Sequence, residues 1–371
     1  MSLRSTYPDL ASLSYRMRAA AALLSVSDTT LKQTIEQSKI HVKRANEGGV
    51  KTIAARVFDP DTLFQLARFR RENSSTRTVK GPVVLTVDII KGGTGKTTTS
   101  VELATHLALM GYRVIAIDLD AQTNLTHCLG YEADLNLEEL DRSVFTEDAL
   151  VGKTFSDLIT SYCGRRPSAE AFGSVIKKPF GEYGPHLIPA DANLGDMEYA
   201  ISTSKGQREL TFKRFFRESM EGKIPDLNIN NYDFIILDCP PNVTMTSACA
   251  LAAADYVVIP VRLDAFGVGG LSRVISEIRA LKNEYGAEVK AKQIILPTHV
   301  SASLPRIQRM YAEIQRYKDI LSPVSISQSE EFPKSLETYV PLTLLAPTGN
   351  PSREYRLFAE HVVKTVLSSE E

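Results

Sequence analysis

The residues best suited to chemistry lie in one eight-residue run, Lys91-Gly92-Gly93-Thr94-Gly95-Lys96-Thr97-Thr98. Glycines there let successive backbone N–H groups turn inward around an anion, and a helix starting at the same place adds the positive end of its dipole. The spacing puts Lys96 within reach of the β- and γ-phosphates of a nucleotide and the Thr97 hydroxyl where it can bind Mg²⁺. Gly92, Gly93, Thr94, Gly95 and Thr98 complete the cradle. A strict G-x-x-x-x-G-K-[ST] pattern needs glycine at position 90, and Ile90 stands there. The run instead fits a deviant form whose extra cation is Lys91.

Two carboxylate segments accompany the loop. The apolar run Val114–Ile117 ends in Asp118-Leu119-Asp120-Ala121-Gln122-Thr123-Asn124, and Phe234–Leu237 ends in Asp238-Cys239-Pro240-Pro241-Asn242. In open parallel sheets, ligands sit at the carboxyl ends of strands, so the three segments converge. Asp238 suits holding the Mg²⁺ shell through water, and Asp120 suits positioning the attacking water. His127 lies close to the Asp120 loop and reads as a structural histidine. Six scattered histidines and four cysteines without C-x-x-C spacing offer no metal cage, so nucleotide-bound Mg²⁺ is the only metal expected.

These segments need a scaffold. Val83–Ile89, Arg113–Ile117, Phe234–Leu237, Tyr256–Val261 and Ile294–Leu296 are largely apolar runs without polar alternation, the pattern of parallel strands buried on both faces. A helix from Thr97 to Leu109 follows the loop. Residues 82–371 therefore read as an α/β P-loop domain with a doubly wound, mostly parallel sheet. Residues 131–185 carry less pattern, and the sequence leaves open a partner-binding insertion or a surface excursion.

Residues 1–71 read as a small helix-turn-helix domain, winged-helix or MerR-like, with 72–81 as a polar linker. One helix candidate spans Tyr15 to Leu24, and a second spans Thr29 to Gln37, capped by Ser27 or Asp28. Thr29, Thr30, Lys32 and Gln33 would be exposed toward DNA, with Leu31 and Ile35 facing the core. Glu47-Gly48-Gly49 marks a wing hairpin, and a third helix covers Thr62 to Arg71. Residues 1–80 hold 14 Lys and Arg against 7 Asp and Glu, and the rest holds 29 against 37. A basic front on an acidic body points to an anionic partner, nucleic acid first. No stretch approaches the roughly 20 apolar residues of a membrane span, and the N-terminus lacks a signal-peptide layout; a cytoplasmic, nucleoid-associated protein is expected.

The motifs K-G-G-T-G-K-T-T, D-L-D-A-Q-T-N-L-T, H-L-I-P-A at 186–190 and D-C-P-P, in this order, resemble the ParA/MinD branch of deviant P-loop ATPases across residues 82–367. That branch usually carries proline where Ala121 sits and Gln or Gly where Ile90 sits. The resemblance implies an ATP-dependent sandwich homodimer in which Lys91 reaches the partner's phosphates. It also implies slow ATP hydrolysis stimulated by DNA and a ParB-like partner, in plasmid or chromosome partition. MinD-like proteins end in a basic membrane helix, whereas this chain closes on Ser368-Ser369-Glu370-Glu371, which reads as a packed helix without membrane binding. Large ParA proteins carry an N-terminal domain that represses their own operon, which the resemblance extends to residues 1–80. The usual basic DNA surface is acidic and polar here, at 322–331, leaving Arg306, Arg309 and Lys334 as substitutes for non-specific DNA contact. A positioning ATPase for a non-DNA cargo and an ATP-sensing transcriptional regulator are the alternatives.

Overall fold

The computed structural model describes residue 10 and residues 12–45, 55–133, 149–164, 172–263, 267–301 and 305–369. Among the described residues, the front segment carries helices α1 (Met17–Leu23), α2 (Asp28–Ser38) and α3 (Pro60–Glu72). Ser27 caps α2 by accepting from the Thr30 N–H, and Asp59 caps α3 by accepting from Thr62 with Pro60 in the first turn. Between α2 and α3, Arg44 and Arg56 form an antiparallel bridge, and Ala45 N bonds Ala55 O. The expected Glu47-Gly48-Gly49 wing tip lies outside the described residues.

The body then alternates: β1 (Val83–Val87), α4 (Lys96–Leu109), β2 (Val114–Asp118), α5 (Asn124–Cys128), α6 (Phe155–Cys163), β3 (His186–Ile188), α7 (Leu194–Thr203), α8 (Thr211–Met220), β4 (Phe234–Asp238), α9 (Met245–Ala253), β5 (Tyr256–Arg262), α10 (Gly267–Tyr285), β6 (Lys292–Thr298), α11 (Pro305–Ile314), α12 (Glu331–Thr338) and α13 (Asn350–Ser368). Among the described residues, these six strands form one sheet in the order β3-β2-β4-β1-β5-β6, and every pairing between them is parallel. All five residues of β1, β2 and β4 are buried, because helices cover both faces. Each apolar side chain so buried contributes about 1.5–3 kcal/mol. β3 was legible only as the H-L-I-P-A motif; three residues are too few to show a strand pattern.

One face carries α1 to α4 and α13 in a continuous core that includes Leu31, Phe58, Leu63, Phe64, Leu103, Leu107, Phe358 and Val362. The opposite face carries α6 to α9 around Phe155, Phe212, Phe215 and Phe216. A third cluster, with Leu251, Val257, Leu271 and Ile295, fills the space between α9, α10 and the β5–β6 edge. α13 buries Tyr355, Phe358, Val362, Val363 and Val366, as expected of a packed helix.

Residues 73–82 carry no helix or strand, yet the front helices do not hang free of the body. Tyr15 Oη donates to Leu344 O at 2.7 Å, and Arg68 Nη1 donates to Gly111 O at 3.1 Å. The Arg71 guanidinium lies 3.4 Å from the centre of the Tyr112 ring. Gly111 has φ +82°, and a Cβ there would lie 2.5 Å from Ala67 O, so only glycine permits α3 this close.

Candidate active site

β1 runs straight into the glycine loop, and α4 opens behind it. Gly95 caps α4 at φ +87° and Gly93 sits at φ +69°, both left-handed conformations that a side chain would strain. The loop is tied to the sheet's far half by Thr298 Oγ1, at the end of β6, which donates to Thr94 O at 2.9 Å. Lys96 is buried, and its Nζ donates to Lys91 O at 3.0 Å and Ile89 O at 3.4 Å, which anchors the ammonium over the loop. Lys91 itself is partly buried beside it.

The carboxylates come from β2 and β4, which flank each other in register at Asp118 and Asp238. Asp238 Oδ2 accepts from Thr97 Oγ1 at 2.8 Å, and its Oδ1 accepts from Ser100 Oγ at 2.8 Å. Thr97 and Ser100 stand one helical turn apart on α4, so one carboxylate locks the first turn of the helix to the strand. Burial pushes the Asp238 carboxyl up to about 7, and the neighbouring Asp118 charge pushes the same way. Asp118 accepts from Thr126 N at 2.9 Å, Thr126 Oγ1 at 2.8 Å and Asp120 N at 3.1 Å. It shapes the turn from which Asp120 projects, and Asp120 Oδ1 in turn accepts from Gln122 N at 3.0 Å.

A cavity of about 500 Å³ opens over this floor. Gly92, Gly93, Gly95, Lys96, Thr97, Thr98, Asp120, Gln122 and Asn124 line its polar end, and His299, Ile326, Phe332, Pro333 and Leu336 line an apolar end. Gln328, Ser329 and Glu330 also face it, so part of the 322–331 segment borders the cavity. Thr97 and Asp238 supply hydroxyl and carboxylate oxygens, the hard donors Mg²⁺ prefers. Two buried carboxylates side by side, Asp118 and Asp238, also favour a divalent cation nearby. The described residues hold no cluster of three His, Cys, Asp or Glu that could cage a metal.

Ser100, Asp118 and Asp88 join the site without having stood out in the sequence. Ser100 sits one turn beyond Thr97, a spacing that would have found it. Asp88 follows β1 directly, is buried, and neither of its oxygens has a hydrogen-bond partner among the described residues. Burial pushes its carboxyl up to about 7, while Lys96 pulls it down and Glu277 on α10 pushes it up. No motif signals Asp88.

The other sequence-predicted residues lie apart from the cavity. Thr29, Thr30, Lys32 and Gln33 are all exposed on α2, while Leu31, Thr34 and Ile35 face inward. Arg306 and Arg309 fall on α11, with side chains outside the described residues. His127 Nε2 lies 3.1 Å from Glu132 Oε1 and 3.4 Å from Thr123 Oγ1, at the edge of the Asp120 loop.

A parallel sheet, a glycine loop at a helix N-terminus and carboxylates at adjacent strand ends define a P-loop ATPase. The family model described as an AAA domain, AAA_31, matches residues 83–291, more than half of the chain. The chain belongs to this family and is a P-loop ATPase of ParA/MinD type. It is 28% identical over 273 residues to the sporulation initiation inhibitor protein Soj of Bacillus subtilis, a match covering 73% of this chain and 94% of Soj. It is 28% identical over 214 residues to the chromosome partitioning protein ParA of Caulobacter vibrioides, covering 57% of this chain and 68% of that one. Its fold is similar to that of cobyrinic acid a,c-diamide synthase from Mycobacterium smegmatis, solved with ADP and magnesium. The TM-score is 0.58 at 20% identity, covering 78% of this chain and 96% of the synthase. No helix among the described residues is long and apolar enough to cross a membrane.

Proposed function

We propose that this chain is a partition ATPase: it binds ATP and Mg²⁺ in the cavity above Asp238, dimerises, and in that state holds DNA non-specifically. The observation that carries this is the link from Asp238 to Thr97 and Ser100 beneath the glycine loop, at hydrogen-bond distances of 2.8 Å. Such a floor would hold Mg²⁺ against the β- and γ-phosphates. Lys96 would bind those phosphates, Lys91 would neutralise charge across the dimer, and Asp120 would orient the attacking water. The apolar end of the cavity suits a flat base. The named relatives, one of them a chromosome partitioning protein, support a DNA cargo over the other uses of this fold.

Residues 1–71 would serve as the DNA-reading domain, 72–81 as a connection and 82–371 as the ATPase domain. Exposed Thr29, Thr30, Lys32 and Gln33 on a capped helix after a tight turn, followed by an antiparallel bridge between Arg44 and Arg56, support a winged helix-turn-helix that represses the chain's own operon. Arg306 and Arg309 would meet bulk DNA, and a ParB-like protein would stimulate hydrolysis, at the nucleoid in the cytoplasm. The test is ATP turnover with and without long random-sequence duplex. Turnover that rises with duplex supports a DNA cargo; turnover indifferent to duplex contradicts it and favours a protein cargo.

A further inference from the structure

Where the front helices meet the body, two clefts of about 250 and 220 Å³ flank Arg356 of α13. The first lies between the end of α1, α3, α4 and α13, and the second between α1, α4 and the start of α13. Four arginines line them, Arg70, Arg71, Arg353 and Arg356, against one carboxylate, Glu360. Arg71 is committed to the Tyr112 ring and to Arg77 O. Arg70 and Arg356 are not spent in this way. A guanidinium has five N–H donors. Arg70 uses Nη1 on Leu24 O at 3.0 Å, and Arg356 uses Nη1 on Ser25 Oγ at 3.3 Å. Arg356 Nε is buried, ion-paired with Glu360 Oε1 at 3.8 Å, and has no hydrogen-bond partner among the described residues. Partly buried guanidinium forks with donors to spare are matched by an oxyanion with several acceptors, above all a phosphate.

The position of the clefts names the source of that phosphate. Ser25, which Arg356 holds, lies three residues before Asp28, the first residue of α2. Three residues span at most about 11 Å. A recognition helix lying in a major groove is bordered by backbone phosphates near its N-terminus. We propose that Arg356 and Arg70 form a phosphate site that takes a backbone phosphate of the duplex on which α2 lies. This would make the ATPase body, through α13, part of the DNA-reading surface. The proposal rests on α2 being the recognition helix.

The experiment uses the full chain and duplexes it recovers from a random 24-base-pair library, with affinity measured across a salt series. For Arg356→Gln and Arg70→Gln, the slope of log affinity against log salt should fall by about one each, with the preferred sequence unchanged. Arg356→Lys, which keeps the charge, should retain most of the slope, and thermal melting checks that each variant folds. Unchanged slopes in folded Arg356→Gln and Arg70→Gln overturn the proposal. Loss of inorganic pyrophosphate binding in these variants without any change in the DNA slope also overturns it, because the anion would then be a free one. Lys32→Ala with Gln33→Ala tests α2 separately. If that pair leaves sequence preference intact while Arg356→Gln lowers the slope, the recognition-helix assignment falls and overturns the proposal with it, although the two arginines would still contact DNA.

Discussion

The nucleotide end of the sheet and the exposed face of α2 are built on opposite plans. At the sheet end, Thr97 and Ser100 hold Asp238, and Thr126 holds Asp118, each through a hydroxyl at 2.8 Å, so the site is set before any ligand arrives. On α2, Thr29, Lys32 and Gln33 are exposed and only the inward residues are fixed by packing. Catalysis on phosphates needs preorganised charge. DNA reading needs side chains that reach outward and are ordered by the partner. Substitutions at the first region should therefore abolish an activity, and those at the second should retune one.

The largest expected effect is at Lys96. Lys96→Ala removes the cation anchored over the loop, and ATP hydrolysis should fall by about a thousandfold, read as phosphate release. A variant retaining even a tenth of wild-type turnover would show that the site does not depend on its preset charge.

Next in size is the seam between the two regions. Phe64 on α3 is fully buried and lies 5.7 Å, ring centre to ring centre, from Phe180 of the body. Phe64→Ala should cost about 3–5 kcal/mol in denaturant unfolding. DNA binding and hydrolysis should fail together on heating, whereas separate transitions would show two independent units.

Asp120→Ala should lower turnover about a hundredfold while ATP binding persists if, as proposed, Asp120 orients the attacking water and does not hold the phosphates. Equal loss of binding and turnover would move Asp120 to a holding role. On α2, Lys32→Ala should weaken sequence-selective DNA binding by about 1–3 kcal/mol without touching basal turnover, measured by titration of a recovered duplex.

The smallest effect concerns pH. Glu102 on α4 is fully buried, and burial pushes its carboxyl up to about 7 from an ordinary 4.5. A carboxyl raised on folding contributes stability that is complete below pH 4.5 and is lost as pH rises through 7. His106, one turn on, is pushed down to about 3 by burial, so its contribution is lost as pH falls below its ordinary 6.5. Glu102→Gln should flatten the melting temperature between about pH 4.5 and 7, and an unchanged slope would mean Glu102 titrates normally.

The same contrast explains what the sequence disclosed. The cradle was legible because glycine spacing and strand-end carboxylates are local: Gly95, Lys96, Thr97, Asp120 and Asp238 each announce themselves within a few residues. Ser100 and Asp118 were quieter, because their roles depend on β2, β4 and α4 lying side by side. Asp88 was silent, since only folding reveals that its carboxylate is buried beside Lys96. The helices of the front segment were legible from caps and periodicity, yet their fusion to the body was not. That depends on Gly111 admitting α3 and on Arg71 reaching Tyr112, contacts made across distant parts of the chain.

In the proposed function, nucleotide at the preset site controls contact with DNA at the surface. The most direct test of this control is binding of the full chain to long random-sequence duplex with ATP, with ADP and with neither, for wild type and Lys96→Ala. Tight binding with ATP alone, lost in Lys96→Ala, is the predicted result; binding indifferent to nucleotide, or none at all, would contradict it.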